Sequence, residues 1–279
     1  MKNYFVWGGS VVKADSKYHM FASRWPENTG FPEGYFNNSE IVRAEADTPS
    51  GPYHFKEIVI SKRKGNYWDS LMAHNPYLVQ FENKYILYYI GKKDADSDRK
   101  IGYAVADNIK GPWDRIDQPI KLTSDANNPA PFIETDGSVK LVFRDKKLRM
   151  GIATADRFDS NYSISSFDLF PGIRLEDPCI YYQNGIYHII CEDNQGKISG
   201  HTRWGVHLVS ESGITNWKKG DPLIAYNHTI TRENGEKFTF DRRERPQLIF
   251  DEKGNITHLI TAVLSGGNTW CLVEPIKKH

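Results

Sequence analysis

The chain has little of what marks several large protein classes. Its 279 residues include three cysteines, Cys179, Cys191 and Cys271, with no CxxC pair and no Cys/His cluster. This odd, widely spaced set argues against a disulfide framework and against structural zinc. A bridge between Cys179 and Cys191 stays open, because their strands are expected to pair. No apolar run approaches the roughly 20 residues of a membrane helix, so no membrane partner is expected.

An excess of charge of one sign is also missing. Lysine and arginine number 36, aspartate and glutamate 35, and the formal net charge is +1. Without a basic field to gather a polyanion, nucleic acid is not an expected partner, and a neutral or sparsely charged substrate fits better. Met1–Trp7 lacks the basic start and apolar run of a secretory signal. We therefore expect a cytoplasmic protein, or a secreted or periplasmic one if a signal was removed.

One pattern occurs five times along the chain: a short polar or proline-bearing start, a strand, a tight turn and a second strand. Its copies are Ser10–Ser23, Pro76–Gly91, Pro129–Arg144, Pro178–Asp193 and Pro246–Ala262. Turn formers such as Asp136-Gly137 and Asn184-Gly185 separate alternating strand residues, as in β-hairpins. A third strand then follows in four copies, at Ile41–Asp47, Ile101–Asp107, Met150–Asp156 and Trp204–Ser210. A fourth strand begins with an aromatic residue, as at Trp113 and Trp217.

Four antiparallel strands per repeat are typical of the blade of a β-propeller. No amphipathic helical pattern of 10–15 residues interrupts the series, so a βαβ architecture is unsupported. We predict an all-β fold in which residues 1–279 form a single five-bladed β-propeller with four-stranded antiparallel blades. The sequence leaves ring closure open between Thr269–Pro275 and Tyr4–Trp7.

The functional prediction depends on the residues at the start of each blade's first strand. In a propeller this first strand lies innermost, next to the central axis. The residues that should converge on the axis are Trp7-Gly8-Gly9, His74-Asn75, Asn127-Asn128, Glu176-Asp177 and Glu244-Arg245. Glycoside hydrolysis needs two carboxyl groups beside the scissile bond. Crowded carboxylates raise one another's pKa and keep one of them protonated near neutral pH. The second-strand ends Glu192-Asp193 and Arg144-Asp145 are expected outside this hub unless their loops fold back.

Several segments of the chain resemble a known protein family. Ala104–Trp113, read Ala-Val-Ala-Asp-Asn-Ile-Lys-Gly-Pro-Trp, resembles glycoside hydrolase family 43 and its five-bladed relatives, families 32, 68 and 117, over about residues 5–275. Four further segments resemble a less characterised branch of family-43-like proteins: Trp68-Asp69, His74-Asn75-Pro76, Glu176-Asp177-Pro178 and Glu244-Arg245-Pro246-Gln247. The resemblance implies the propeller fold and a glycosidase.

The catalytic residues that the resemblance implies are only partly present. Family 43 uses an Asp of the first blade as general base, an Asp of the third to modulate pKa, and a Glu of the fourth as general acid. Glu176 is the formal match for the acid, and Asp177 is an equally exposed candidate. The third-blade position is Asn128, and the first-blade position falls at Gly8 or Gly9. Either other carboxylates substitute, or the chain is not a hydrolase of that mechanism.

The replacement candidates are Glu244, at the start of the fifth blade, and Asp69, in the insertion before the second. Arg245 could bind a substrate carboxylate or pair with Glu244 or Asp177, and His74 could act as an acid or as a cation ligand. The residues expected to bind substrate are His74, Asn75, Asn128, Arg245, Trp7, Trp25 and Trp68, the three tryptophans as flat platforms for a sugar ring.

No cofactor is demanded by the sequence. His74, Asn75, Asn128 and Asp177 could surround a Ca²⁺ or Na⁺ ion near the axis, although no spacing signature requires one. The favoured function is general acid–base hydrolysis of an oligosaccharide or glycoside. A non-catalytic carbohydrate-binding propeller is the alternative, since it explains the missing triad. A protein-interaction propeller would have an apolar hub, which the polar residues argue against.

Overall fold

The computed structural model describes residues 1–232 and 234–276, and they form a five-bladed β-propeller of antiparallel sheets. Blade 1 contains β1 Tyr4–Ala14, β2 Lys17–Pro26, β3 Glu40–Ala46 and β4 His54–Ile60. Blade 2 contains β5 Met72–Phe81, β6 Lys84–Lys92, β7 Lys100–Ala106 and β8 Asp114–Arg115. Blade 3 contains β9 Asn127–Ile133, β10 Val139–Arg144, β11 Met150–Ala155 and β12 Ser163–Phe167. Blade 4 contains β13 Leu175–Gln183, β14 Ile186–Asp193, β15 Trp204–Ser210 and β16 Lys218–Tyr226.

The fifth blade settles how the ring closes. A two-stranded ribbon, β17 Thr229–Thr231 and β18 Lys237–Thr239, leads into the sheet of β19 Arg242–Phe250, β20 Ile256–Ser265 and β21 Asn268–Pro275. The C-terminal segment therefore completes this sheet, while the N-terminal strand belongs to blade 1. Strand β1 packs against all three strands of the sheet. The backbone N–H of Val6 donates to Thr269 Oγ1 at 2.8 Å across the junction.

The core lies between neighbouring blades. Side chains alternate between the two faces of each strand, and both faces of an inner strand are covered, so Tyr88, Tyr89 and Phe143 are fully buried. All three cysteines are free. Cys179 pairs with Ile190 in the register of β13 and β14, which puts Cys191 one residue out of step and on the opposite face. Among the described residues no helix is long and apolar enough to cross a membrane.

Every blade begins with the same backbone irregularity. The second residue of each predicted axial group has a positive φ of 52–64°, and the register of the first two strands shifts beside it. These residues are Gly8, Asn75, Asn128, Asp177 and Arg245. Glycine, asparagine and aspartate tolerate this region best, so Arg245 is the strained exception, at a cost on the order of 1–3 kcal/mol. The bulge turns these side chains towards the axis.

Candidate active site

Four of these five bulge residues are linked by hydrogen bonds at the axis, and together we call them the axis ring: Asn75, Asn128, Asp177 and Arg245. Asn75 Nδ2 donates to Asn128 Oδ1 at 3.0 Å, and Asn128 Nδ2 donates to Asp177 Oδ1. Arg245 donates to Asp177 through Nη1, at 3.0 Å, and through its backbone N–H, at 3.2 Å. At the fifth position, a Cβ on Gly8 would lie 3.3 Å from Arg245 Nε. The absent side chain leaves room for the guanidinium.

Three carboxylates meet beside the axis ring. Asp177, Glu192 and Glu244 each offer an oxygen, and these oxygens lie within 4.8 Å of one another. Glu192 is fully buried, and neither of its oxygens has a hydrogen-bond partner among the described residues. Burial, then the neighbouring Glu244, raises the pKa of Glu192 well above its usual range. Burial and the charge of Asp177 raise the pKa of Glu244 to about 7.

Two arginines, Arg203 and Arg242, partly neutralise the negative charge of these carboxylates, and Arg203 has the larger effect on Glu244. Arg203, in the loop before β15, donates from Nη1 to Glu244 Oε1 and lies 3.4 Å from Glu192 Oε1. Its charge, and to a smaller extent that of Arg242 at 3.6 Å from Glu244 Oε1, acts to lower the pKa of Glu244. Burial and the other carboxylates outweigh both arginines, so Glu244 keeps a raised pKa and can hold a proton at neutral pH.

Glu176 is the more open carboxylate of the site. Its Oε1 lies 3.7 Å from Arg144 Nη2, outside hydrogen-bond distance. Glu176 lines the same cavity as Asp177 and Glu244, whereas Glu192 lies behind the cavity wall. The cavity lining thus combines the open carboxylate of Glu176, the carboxyl group of Glu244 with its raised pKa, and Asp177, which is oriented by three donors.

The cavity at the hub is small, about 180 Å³, and one of its walls is aromatic. The wall comes from blade 1 and the insertion after β2, which holds the 3₁₀ turn Glu27–Thr29 and the short helix α1 Tyr35–Asn38. Its side chains are Trp7, Trp25, Phe31, Tyr35 and Phe36. Trp25 and Phe31 stack with an interplanar angle of 18°, and Trp25 Nε1 donates to Gly30 O. Trp7 and Trp25 are buried, so they form a wall of the cavity and not an open platform.

His74 also lines the cavity. Its ring stacks on Tyr35 with centroids 4.3 Å apart, and Nδ1 lies 2.8 Å from Ser39 Oγ. Burial, assisted by the charges of Arg245 and Arg99, lowers the pKa of His74 well below its usual value. The imidazole is therefore neutral near pH 7, which suits a hydrogen-bonding role better than that of a protonated acid.

Two predicted site residues lie elsewhere. Asp69 is fully buried in blade 2, where it accepts hydrogen bonds from Arg63 Nε and Tyr89 Oη, both at 2.7 Å. Trp68 is stacked on Tyr89 and donates from Nε1 to Ile116 O at 3.0 Å. Neither residue lines the hub cavity. The expectation that they face the hub is wrong, because their insertion folds along the outer strands of blade 2.

The sequence prediction missed Glu192, Arg144, Arg203 and Arg242. Glu192 and Arg144 were expected outside the hub as ends of second strands. In an antiparallel hairpin, however, the end of the second strand lies beside the start of the first. The register pairs Glu192 with Glu176 and Arg144 with Asn127. Hairpin register alone could have found these two residues, while Arg203 lies in a loop that carries no such signal.

The axial residues fit a cation poorly. Ca²⁺ takes six to eight oxygen ligands, but Asp177 already accepts three hydrogen bonds and Arg245 places a positive charge on the axis. The cluster of Asp177, Glu192 and Glu244 is likewise contacted by Arg203. The positive charge that these carboxylates require is thus supplied by the chain itself.

Comparisons with known proteins agree with the fold. Neither protein-family models nor curated proteins gave a match. An endo-arabinase from Bacteroides thetaiotaomicron is 15% identical with a TM-score of 0.71, over 99% of this chain and 95% of that one. A family 43 β-xylosidase/α-arabinofuranosidase from a compost microbial metagenome, in complex with xylotriose, is 16% identical with a TM-score of 0.71, over 100% and 93%.

A family 117 glycoside hydrolase from Zobellia galactanivorans is 13% identical with a TM-score of 0.70, over 97% of this chain and 83% of that one. At these identities the likeness shows the fold. The five-bladed propeller predicted from the repeats is confirmed, and its solved structural neighbours include glycoside hydrolases of families 43 and 117.

Proposed function

We propose that this protein is a glycoside hydrolase whose reaction takes place in the hub cavity. The observation that carries the proposal is the convergence of Asp177, Glu192 and Glu244 within 4.8 Å beside a cavity with an aromatic wall. Carboxyl groups whose environments separate their pKa values are the working parts of glycosidases. Glycoside hydrolases of families 43 and 117 share this fold, and this analogy supports the same chemistry.

Glu244 is the proposed general acid. It lines the cavity, and its pKa of about 7 allows it to deliver a proton to the glycosidic oxygen at neutral pH. Glu176 is the proposed second carboxylate, which activates water or attacks the anomeric carbon, because it is the most open acidic group of the cavity. Asp177 orients the site through the axis ring, and Arg203 and Glu192 set the electrostatics around Glu244.

The cavity volume favours a single terminal sugar residue. At about 180 Å³ it is smaller than the roughly 300–1,000 Å³ of pockets for drug-sized ligands. Phe31, Tyr35 and Phe36 close one side, so a sugar entering from the open side would stack on or abut this wall. The neighbours include an endo-arabinase, a β-xylosidase/α-arabinofuranosidase and a β-1,3-galactosidase, so aryl glycosides of arabinofuranose, xylose and galactose are the first panel to assay.

The test is turnover by the Glu244→Gln and Glu176→Gln variants. Each should lower kcat about 10²- to 10⁴-fold, the usual contribution of acid–base catalysis, because each exchange removes a carboxyl group and keeps the shape. Glu134→Gln is the matched control, since Glu134 is a half-buried carboxylate paired with Lys140 away from the cavity. Full activity in both hub variants would disprove the assignment.

One feature favours the carbohydrate-binding alternative. The position implied for the general base falls at Gly8 or Gly9, neither of which carries a carboxylate, and Arg245 fills the space beside Gly8. Binding of a sugar without release of product, measured by calorimetry alongside the same aryl glycoside panel, would support binding alone. Product release that depends on Glu244 would support hydrolysis.

A further inference from the structure

We infer that the sugar recognised in the hub cavity carries an anionic group, a carboxylate or a sulfate, which Arg144 and Arg242 bind. This inference rests on the proposed function, because it names the substrate class of the same cavity. It starts from an imbalance among the four arginines that line the cavity, Arg144, Arg203, Arg242 and Arg245.

Two of the four arginines are already used. Arg245 makes an ion pair with Asp177 at 3.0 Å and takes part in the axis ring. Arg203 donates to Glu244 and lies 3.4 Å from Glu192. Both guanidinium groups thus neutralise carboxylates of the protein and explain how those carboxylates are tolerated at the hub.

Arg144 is different, because none of its donors forms a hydrogen bond to a carboxylate among the described residues. Its side chain is only 10% exposed, its Nε has no hydrogen-bond partner among the described residues, and Nη2 lies 3.7 Å from Glu176. Within the described part of the chain its one hydrogen bond is from Nη1 to Asp145 O at 3.3 Å. A guanidinium carries five N–H donors, and leaving such donors buried and unpaired is costly. Because Nε is fully buried, an anionic ligand entering the cavity would bind the terminal nitrogens of the Arg144 guanidinium.

Arg242 provides a second, more exposed cation. It lies over the Phe31 ring at 5.5 Å and is 3.6 Å from Glu244 Oε1, beyond hydrogen-bond distance. Because their pKa values are raised, Glu192 and Glu244 are partly protonated near neutral pH. They therefore carry less negative charge to balance the arginines than two ionised carboxylates would. The cavity therefore has spare positive charge, although the whole chain has a net charge of only +1.

An arginine fork matches the geometry of a carboxylate or a sulfate, and charge-assisted hydrogen bonds of this kind are the strong ones. A neutral pentose or hexose would offer the Arg144 guanidinium only hydroxyl oxygens as acceptors and no negative charge. One anionic group on one sugar residue is also compatible with a protein that has no basic field for polyanions.

The experiment compares sugars that differ only in this group. Binding of D-galacturonate against D-galactose, and of D-glucuronate against D-glucose, is measured by calorimetry at pH 7, with galactose 6-sulfate as a separate arm. We expect at least one anionic sugar to bind about tenfold or more tightly than its neutral twin, the value of one charge-assisted hydrogen bond. The uronate and sulfate arms identify which anion is preferred.

Variants then test the named arginines. Arg144→Gln and, independently, Arg242→Gln should reduce the ratio of anionic to neutral affinity several-fold, and the more exposed Arg242 keeps the test available if Arg144→Gln does not fold. Arg149→Gln is the matched control, because Arg149 pairs with Asp145 outside the cavity. Its ratio should stay at the wild-type value.

Equal affinity for each anionic sugar and its neutral twin would overturn the inference, and so would a preference that survives both hub variants. Hydrolysis of neutral aryl glycosides alone would contradict the inference and leave the proposed function standing. Selective binding of a uronate without hydrolysis of any aryl glycoside, including the aryl uronide, would support the inference and contradict the proposed function.

Discussion

Replacing Glu244 with glutamine should make the protein more stable at neutral pH while strongly lowering the proposed activity. Glu244 lies among Asp177, Glu192 and Glu176, and burial is the largest cause of its raised pKa. A carboxyl group whose pKa is higher in the folded state binds its proton more tightly when folded. Its ionisation therefore costs stability as pH rises, which is the opposite of the usual salt-bridged acid.

The magnitude follows from the two pKa values. The pKa of Glu244 is raised from 4.5 to about 7, and each pKa unit is worth about 1.4 kcal/mol. The wild-type protein should thus lose roughly 3 kcal/mol between pH 4.5 and 7, and keep this deficit above pH 7. Glu244→Gln has no such ionisation, so its advantage should be near zero at pH 4 and roughly 3 kcal/mol at pH 8.

Urea unfolding at pH 4, 5, 6, 7 and 8 measures this difference directly, provided that the slope with denaturant is unchanged between the two proteins. In thermal unfolding, the expected advantage at pH 8 is about 6 °C, from ~2 °C per kcal/mol in domains of this size. Glu134→Gln again serves as the control for loss of one negative charge outside the hub.

A difference between the variant and the wild type that does not change with pH would refute the reasoning. So would a loss of stability in Glu244→Gln at pH 8, which would mean that the contact between Glu244 and Arg203 outweighs burial.

Two further predictions concern residues around the carboxylates. Arg203→Gln removes a charge that lowers the pKa of Glu244, so the alkaline limb of the profile of kcat/KM against pH should move to higher pH; an unmoved limb would separate Arg203 from Glu244. Gly8→Ala places a Cβ at 3.3 Å from Arg245 Nε and at a φ of +64°, so the free energy of unfolding should fall by about 1–2 kcal/mol. Gly266→Ala, at a φ of +54° and with no described atom within 4 Å of its added Cβ, measures the backbone cost alone, and an equal loss in both variants would dismiss the contact with Arg245.

The axial residues could be predicted because they repeat. Asn75, Asn128, Asp177 and Arg245 occupy the same position in four repeats, so one argument about strand order placed them all at the hub. Asp69 and Trp68 lie in an insertion outside the repeat, and their position depends on contacts with Tyr89 and Ile116 that no local pattern encodes. Sequence reasoning was weakest at such insertions.

Glu192 illustrates a different limit. Its place in a hairpin was evident, and the antiparallel register that sets it beside Glu176 could have been deduced. Its lack of hydrogen-bond partners and its raised pKa could not be deduced from the sequence. Both arise from Glu244 and from the packing of blades that are distant along the chain.

The sequence by itself determined the hairpins, the number of blades and the residues at their starts. Turn formers, strand alternation and repetition act over a few neighbouring residues, so they can be interpreted without coordinates. Only the tertiary structure decided which carboxylates approach within 4.8 Å, which buried arginine donors lack a hydrogen bond among the described residues, and how far the pKa of Glu244 rises. Each of these depends on distance and burial between blades, and electrostatic interactions change steeply with both.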